Sequence, residues 1–190
     1  MLYFYNKLKV KNFIFRDPVF SIDRKHTVKI CEAIISRGIK FNICIEVHLK
    51  NIDDELTKIL KKAGIKLIYV GIESAIEEVR KDAKRTSDTN ENQIEKIKYL
   101  EKNGIRVKSM YIIGMPADTE NTFKKTVDYA KKINSSYAQF SVFTPYPGTP
   151  VFNEYKDKIT KNKYEDFTQW QLVFRHQNLT EKDVLYLLNY

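Results

Sequence analysis

The residues best suited to chemistry in this sequence stand at the ends of five short apolar runs. In "LIYVGIES", residues 67–74, strand-forming residues lead to a carboxylate, Glu73, and a hydroxyl, Ser74. These groups hydrogen-bond readily to a polar ligand, although ordinary solvated strand ends also carry them. The other four runs end in comparable residues: Asp17; Glu46 and His48; Gly114 and Pro116; Thr144, Tyr146, Gly148 and Thr149. Five successive run ends of this kind favour one shared ligand site.

Three similar stretches indicate the elements that would position these residues. They read "SRGIKFNICIEV", "KKAGIKLIYVGIE" and "EKNGIRVKSMYIIG". In each, polar residues end a helix, a glycine suited to a left-handed cap follows, and an apolar strand begins. Apolar residues at helical spacing predict helices over Lys25–Arg37, Asp53–Ala63, Asn90–Lys102 and Thr119–Ile133. Asp53 is a suitable N-terminal cap for the second of these helices.

The order of elements predicts the fold class. Five strands alternate with helices, and such alternation means parallel strands joined by right-handed crossovers. We therefore predict an α/β fold, an incomplete (β/α) partial TIM-type barrel of five parallel strands. Because ligands gather at the carboxyl ends of parallel strands, the run ends should lie on one rim. Residues 151–190 differ in composition and predict a short, mainly helical C-terminal extension beyond a first domain of residues 1–150.

Composition narrows the class of protein. The chain has 190 residues, of which 43% are hydrophobic, which is enough for a sizeable core. No apolar stretch approaches the roughly 18 residues of a membrane span, and the N-terminus lacks a secretory signal pattern, so we predict a cytoplasmic protein. The net charge is +9, but the lysines are scattered, which favours a solvated surface over nucleic-acid binding.

Four segments together resemble the radical S-adenosylmethionine (SAM) superfamily, in the branch whose members often carry an upstream cobalamin-binding domain. They are "FRDPVF", "GIES", "GIRVKSMYIIGMP" and "TPYPGTP", and the similarity covers roughly Lys11 to Pro150. The linked set is specific, whereas "GIES" or "PYPGT" alone would be weak. The resemblance implies an open six-stranded partial barrel, of which this chain would supply strands two to six.

The resemblance also implies roles for individual residues toward SAM. Asp17 would bind its amino group, and Arg85 would meet its methionine carboxylate. Glu73, helped by Ser74, would contact the ribose, because a carboxylate can accept two hydrogen bonds from a diol. Residues Ile112 to Gly114 would line the adenine, and the backbone around Phe143 and Thr144 would reach it from the last strand. Glu46, at the same predicted rim, is a further cofactor-binding candidate, and no catalytic residue is assigned.

One defining element of the family has no counterpart here. The superfamily holds a four-iron, four-sulfur cluster on a CxxxCxxC loop, and this sequence contains neither that loop nor three cysteines. Its two cysteines, Cys31 and Cys44, lie in apolar runs, which favours buried free thiols over metal ligands. We therefore expect the chain to be part of a longer protein whose missing N-terminal segment carries the cluster, with cobalamin bound by an absent upstream domain. A degenerate remnant of such an enzyme is the alternative.

These observations lead to one main functional hypothesis and two rivals. The main hypothesis is the C-terminal part of a radical SAM core that serves methyl transfer, cyclisation or methylthiolation of an unknown small molecule and is inactive without the cluster segment. One rival is a cluster-free module that binds a nucleotide or a partner. The other is an RNA-modification protein, suggested by the positive charge. In the extension, Trp170, Arg175 and His176 are substrate-facing candidates, but packing and surface roles are favoured.

Overall fold

The computed structural model describes residues 1–85 and 88–189 of the chain. The strands are β1 (Asn12–Ile14), β2 (Asn42–Val47), β3 (Ile65–Glu73), β4 (Arg106–Ile113) and β5 (Tyr137–Val142). The helices are α1 (Leu2–Leu8), α2 (Arg24–Ile35), α3 (Asp54–Ala63), α4 (Glu77–Asp82), α5 (Asn90–Lys102), α6 (Glu120–Ile133), α7 (Pro150–Tyr155) and α8 (Glu181–Leu188). Short 3-10 turns lie at Leu49–Asn51, Lys156–Lys158 and Tyr164–Asp166.

The five strands form one sheet in the order β1-β2-β3-β4-β5. β1 pairs in parallel with β2, with Asn12 opposite Asn42, and β2 pairs in parallel with β3, with Val47 opposite Val70. Sequential order is what successive right-handed crossovers produce, since each helix returns the chain to the start of the neighbouring strand. The predicted α/β fold with five parallel strands is confirmed.

The chain divides into two compact units. Unit 1 comprises the described parts of 1–71, 87–109 and 133–138, and unit 2 comprises those of 72–86, 110–132 and 139–190. Within unit 1, β2 is buried at Ile43, Cys44, Ile45 and Val47, as expected for a parallel strand that is covered on both faces. The fully buried side chains of this unit include Ile45, Ile68, Leu60, Ile97 and Leu100.

Helix α3 shows how local sequence sets the element bounds in unit 1. The Asp53 side chain accepts a hydrogen bond from the Leu56 backbone N–H at 2.8 Å and caps the helix, as predicted. The helix ends at Gly64, whose φ of +95° is in the left-handed region. A Cβ at Gly64 would also overlap the carbonyl oxygen of Phe41, so this joint admits no larger residue.

Unit 2 has a core of its own, which the C-terminal extension shares. The apolar side chains of the extension pack with those at the ends of β4 and β5: Ile113, Met115, Val142, Phe143, Leu172, Val173, Phe174, Leu179, Val184 and Leu187. An isolated antiparallel bridge joins Ile159 to Phe174, and Thr180 and Asp183 form a capping box at the start of α8. The extension is therefore anchored on the strand ends that the sequence singled out.

In the part of the chain that the structure describes, every helix is too short or too polar to cross a bilayer.

Candidate functional site

Glu73 is the most unusual residue at a strand end. It is the last residue of β3, and its φ of +67° lies in the left-handed region, which a non-glycine residue seldom occupies. Its side chain is 17% exposed, and its Oε1 atom is 3.7 Å from an Arg85 guanidinium nitrogen. Strained backbone of this kind is concentrated at functional sites, where the surrounding structure enforces it. The geometry therefore singles out the carboxylate that the sequence pattern also selected.

Ser74 lies next to Glu73 but is buried, and its polar groups are engaged by the protein. Its hydroxyl is 3.1 Å from the Thr126 hydroxyl and accepts a hydrogen bond from the Ile76 backbone N–H at 3.2 Å. Its carbonyl oxygen accepts a hydrogen bond from the guanidinium of Arg80, which is itself buried. These contacts fix the turn after β3 and so hold Glu73 in its unusual conformation. A direct contact of Ser74 with ribose stays a prediction.

The sequence reasoning missed Thr126 and Arg80. Thr126 lies on α6 three residues after the buried Phe123. Helical periodicity could therefore have predicted that Thr126 is on the inward face of the helix. Arg80 lies in a short helix whose sequence, "EEVRKD", is mostly charged and shows no clear apolar period. Nothing in that segment indicates which of its charged residues is buried.

Arg85 lies just after α4, and its side chain is half exposed. Its backbone N–H donates to the Arg80 carbonyl oxygen at 2.8 Å, which fixes the chain at this point. The resemblance assigned Glu73 and Arg85 to different groups of SAM, yet the two side chains form an ion pair with each other. A ligand that carries both a diol and a carboxylate would replace this ion pair with a separate partner for each residue.

The ends of β4 and β5 meet in unit 2 through their backbones. The Phe143 N–H donates to the Ile113 carbonyl oxygen at 2.8 Å, and the Thr144 hydroxyl donates to the Val142 carbonyl oxygen at 3.0 Å. Gly114 follows with a φ of +74°, so the chain turns sharply away from the strand. Ile112 is half-buried, while Gly114 and Phe143 are buried. Four residues predicted to contact SAM, Ile112, Gly114, Phe143 and Thr144, therefore lie at the ends of two strands whose backbones are hydrogen-bonded to each other.

A buried polar cluster fixes the turn after β4. The Asp118 carboxylate accepts hydrogen bonds from the Met115 backbone N–H at 3.1 Å and the Thr122 hydroxyl at 2.8 Å. Burial raises the pKa of Asp118, although these hydrogen bonds act in the opposite direction. The cluster ties the turn to the start of α6.

His176 joins the C-terminal extension to the same turn. Its Nδ1 atom accepts hydrogen bonds from the backbone N–H groups of Asn178 and Leu179, at 3.0 and 3.1 Å. Its Nε2 atom therefore carries the proton and donates to the Met115 carbonyl oxygen at 2.9 Å. His176 is buried and has a packing role, whereas Trp170 and Arg175 are exposed.

Unit 1 holds two further candidates, Asp17 and Glu46. Asp17 is exposed after β1, and Glu46 is half-buried on β2, directly opposite Tyr69 of β3. Burial raises the pKa of Glu46, and the charge of Arg16 opposes that shift. His48, which follows β2, accepts a hydrogen bond at Nδ1 from the Lys50 backbone N–H at 3.2 Å. Asp17 thus lies three residues after β1, and Glu46 is the penultimate residue of β2.

The cysteines do not fit a four-iron cluster. Cys31 is fully buried in α2, and burial raises the pKa of its thiol to about 11. Cys44 lies in β2, where burial also raises its pKa. Both shifts oppose the thiolate form that binds iron. Among residues 1–85 and 88–189, no group of three His, Cys, Asp or Glu side chains is arranged to hold a metal ion.

Comparison with known proteins identifies the family. The model of the Radical SAM superfamily matches residues 7–130. The chain is 26% identical over 179 residues to bacteriochlorophyllide d C-12(1)-methyltransferase of Chlorobaculum tepidum, covering 94% of this chain and 39% of that protein. It is 29% identical over 184 residues to anaerobic magnesium-protoporphyrin IX monomethyl ester cyclase of Cereibacter sphaeroides, covering 95% and 30% respectively. The chain thus spans about two fifths or less of the length of these relatives.

Solved structures agree on the fold. The radical SAM methyltransferase TsrM of Kitasatospora setae, solved with cobalamin and a [4Fe-4S] cluster, matches with a TM-score of 0.71 at 18% identity. The match covers 80% of this chain and 32% of TsrM. This likeness confirms the predicted partial TIM-type fold. Because the family model spans well over half of its residues, the chain belongs to the radical SAM superfamily.

Proposed function

We propose that this chain is the SAM-binding, C-terminal part of a radical SAM enzyme core. The observation that carries the proposal is Glu73, which is held in a strained left-handed conformation and ion-paired to Arg85. Both are residues for which the family resemblance implies SAM contacts. A solvated strand end needs no such strain, whereas a binding carboxylate must be aimed at its ligand.

Each residue has a defined task in this proposal. The Glu73 carboxylate accepts hydrogen bonds from the ribose hydroxyls, and Arg85 donates to the methionine carboxylate. The backbone of Ile112–Gly114 and of Phe143 and Thr144 lines the adenine, while Ser74 and Arg80 hold the Glu73 turn in place. In the assembled enzyme, a cluster held by another segment would supply the radical chemistry of the superfamily, and the residues of this chain would bind and orient SAM.

Asp17 and Glu46 belong to unit 1, and their roles are proposed on the resemblance and on their positions in the sequence. Asp17 is assigned to the amino group of SAM, since an exposed carboxylate pairs well with an ammonium. Glu46 is assigned to the cofactor-binding residues without being assigned to a particular group of SAM. Variants Asp17→Asn and Glu46→Gln keep the side-chain shape, so a change in SAM affinity would report the lost charge.

We further propose that the chain has no radical activity on its own. Three convergent thiolates are needed for the cluster, while this chain has two cysteines in a helix core and a strand. A separate N-terminal segment would supply the cluster loop, and an upstream domain would supply any cobalamin. This chain spans only 39% and 30% of the length of the two relatives, which supports the proposal that it lacks part of the active enzyme. A cytoplasmic location stays a prediction.

The relatives support a proposal for the class of reaction. Their names include methyltransferases, a cyclase and a tRNA-2-methylthio-N(6)-dimethylallyladenosine synthase, the last being 31% identical over 97 residues in Buchnera aphidicola. We propose methyl transfer, cyclisation or methylthiolation of a small molecule for the assembled enzyme. RNA modification stays the rival hypothesis, and that relative and the charge of +9 are the observations behind it. Salt-sensitive binding of tRNA would support this rival.

Anaerobic reconstitution tests the proposal. The chain is treated with iron and sulfide and then assayed for cluster absorbance and for 5′-deoxyadenosine in the presence of SAM and a strong reductant. We expect neither, together with measurable SAM binding in the same sample. Formation of 5′-deoxyadenosine would overturn the claim of inactivity. An absence of SAM binding would overturn the proposed function and favour a module with another ligand.

A further inference from the structure

A cavity lies in the C-terminal part of unit 2, and its lining residues differ from those assigned to SAM. It has a volume of about 540 Å³, which is in the range of small-molecule sites. Its walls come from the turn at Pro147 and Gly148, from α7 and from the segment 159–167. We call it the extension pocket.

The walls of the extension pocket are fixed by the fold. Thr149 caps α7 by accepting from the Phe152 N–H at 3.2 Å, and its hydroxyl donates to the Tyr146 carbonyl oxygen at 2.7 Å. On the other side, the Thr160 N–H donates to the Val173 carbonyl oxygen at 2.9 Å, which attaches the segment to the core. The pocket is therefore formed before any ligand binds, and preorganisation of this kind lowers the entropic cost of binding.

One wall of the pocket is apolar and aromatic. Phe152 and Phe167 contact each other with ring centroids 6.2 Å apart, and Pro147 and Ile159 extend the surface. Aromatic walls favour a flat apolar group, since rings pack with a large contact area and a favourable edge or offset geometry.

The polar groups of the pocket are mainly hydrogen-bond donors. Two ammonium groups, of Lys156 and Lys161, and the amides of Asn153 and Asn162 line it, and no acidic side chain does so among the described residues. Lys161 is already paired with Glu181 at 3.0 Å. Lys156 forms no ion pair with a carboxylate in the described part of the chain, so its charge is available to a ligand.

We propose that the extension pocket binds an aromatic carboxylate, with the ring against the Phe152 wall and the carboxylate at Lys156. The apolar wall excludes a fully hydrated ion, and the donor-rich rim disfavours a cation. Asn153 and Asn162 supply further donors to the carboxylate oxygens. None of the residues that line this pocket is among those assigned to SAM.

The test uses two probes with the same ring and opposite charge, indole-3-acetate and tryptamine. Each is titrated into the ¹⁵N-labelled chain, and the amide signals of Gly148, Asn153 and Asn162 are followed. We expect saturable shifts with indole-3-acetate and much weaker ones with tryptamine. Equal binding of both probes, shifts confined to other residues, or no binding of indole-3-acetate would overturn the proposal.

A matched pair of variants locates the charge. Lys156→Gln should weaken indole-3-acetate binding about tenfold, the effect of losing a hydrogen bond to a charged group. Lys182→Gln makes the same change of net charge on α8, outside the pocket, and should leave the affinity unchanged. Equal effects of the two substitutions would mean that only net charge matters and would overturn the assignment of Lys156. Unchanged spectra elsewhere would verify that both variants fold.

Discussion

Replacing Glu73 tests whether the strand end is strained for function. In the left-handed region, an L-residue costs about 1–2 kcal/mol more than in its ordinary conformations. Glu73→Gly removes that cost but adds about 0.5–1 kcal/mol of unfolded-chain entropy. Glu73→Ala keeps the strain. Both variants lose the same ion pair with Arg85, whose value of about 0–1 kcal/mol therefore cancels between them.

The glycine variant should consequently be about 1 kcal/mol more stable than the alanine variant, the balance of relieved strain and lost chain entropy. Urea unfolding followed by circular dichroism measures this difference as a shift in midpoint at constant slope. Glu73→Asn is the control, because asparagine tolerates the left-handed region and should lie between the two. If the alanine variant were at least as stable as the glycine variant, the claim that the backbone is strained at residue 73 would be refuted.

The functional half of this prediction concerns SAM. Both Glu73→Gly and Glu73→Ala remove the carboxylate, so both should weaken SAM binding to a similar extent while differing in stability. This separation of stability from affinity is typical of a residue kept for its ligand. A glycine variant that binds SAM like the original chain would show that the carboxylate is not a ligand contact.

Three further predictions concern the fold that positions the site. Gly64→Ala should destabilise the protein by more than about 2 kcal/mol and Gly104→Ala by about 1 kcal/mol, since only at Gly64 would a Cβ overlap a backbone oxygen; similar unfolding midpoints would contradict this. Burial raises the pKa of Asp118, so its protonated form is favoured by folding, and that stability is lost as pH rises through the raised pKa. The stability of the Asp118→Asn variant relative to the original chain should therefore increase between a pH below the unfolded pKa and pH 7; a stability difference that is the same at both pH values in urea unfolding would contradict this. Iodoacetamide should modify Cys44 before the fully buried Cys31 under native conditions, and mass spectrometry showing the reverse order would contradict the burial.

Much of the architecture was predictable because its signals are local. The helix predicted over Asn90–Lys102 has those bounds, and the Asp53 cap is present. Gly38, Gly64 and Gly104 stand between a helix and the next strand in the three similar stretches. Each has a φ in the left-handed region, as the cap pattern requires. Helix α1 and helix α4 were missed, since both are short and neither shows a clear amphipathic period.

The arrangement of the candidate site was less predictable because it depends on contacts distant in sequence. The left-handed conformation of Glu73 is enforced around Ser74, whose hydroxyl meets Thr126, 52 residues away. His176 contacts Met115 across 61 residues. Local patterns select candidate residues by type and position, but they carry no information about which distant side chain will hold a turn in place.

The most direct test of the central claim is a titration of the ¹⁵N-labelled chain with SAM, followed by two-dimensional NMR. The account predicts saturable shifts of the Glu73, Gly114 and Thr144 amides in the millimolar range, with Glu73→Gln weakening binding about tenfold. The Lys182→Gln chain serves as a control of unchanged affinity. The claim would be contradicted by the absence of saturable shifts up to about 10 mM SAM, or by equal affinity of the Glu73→Gln chain.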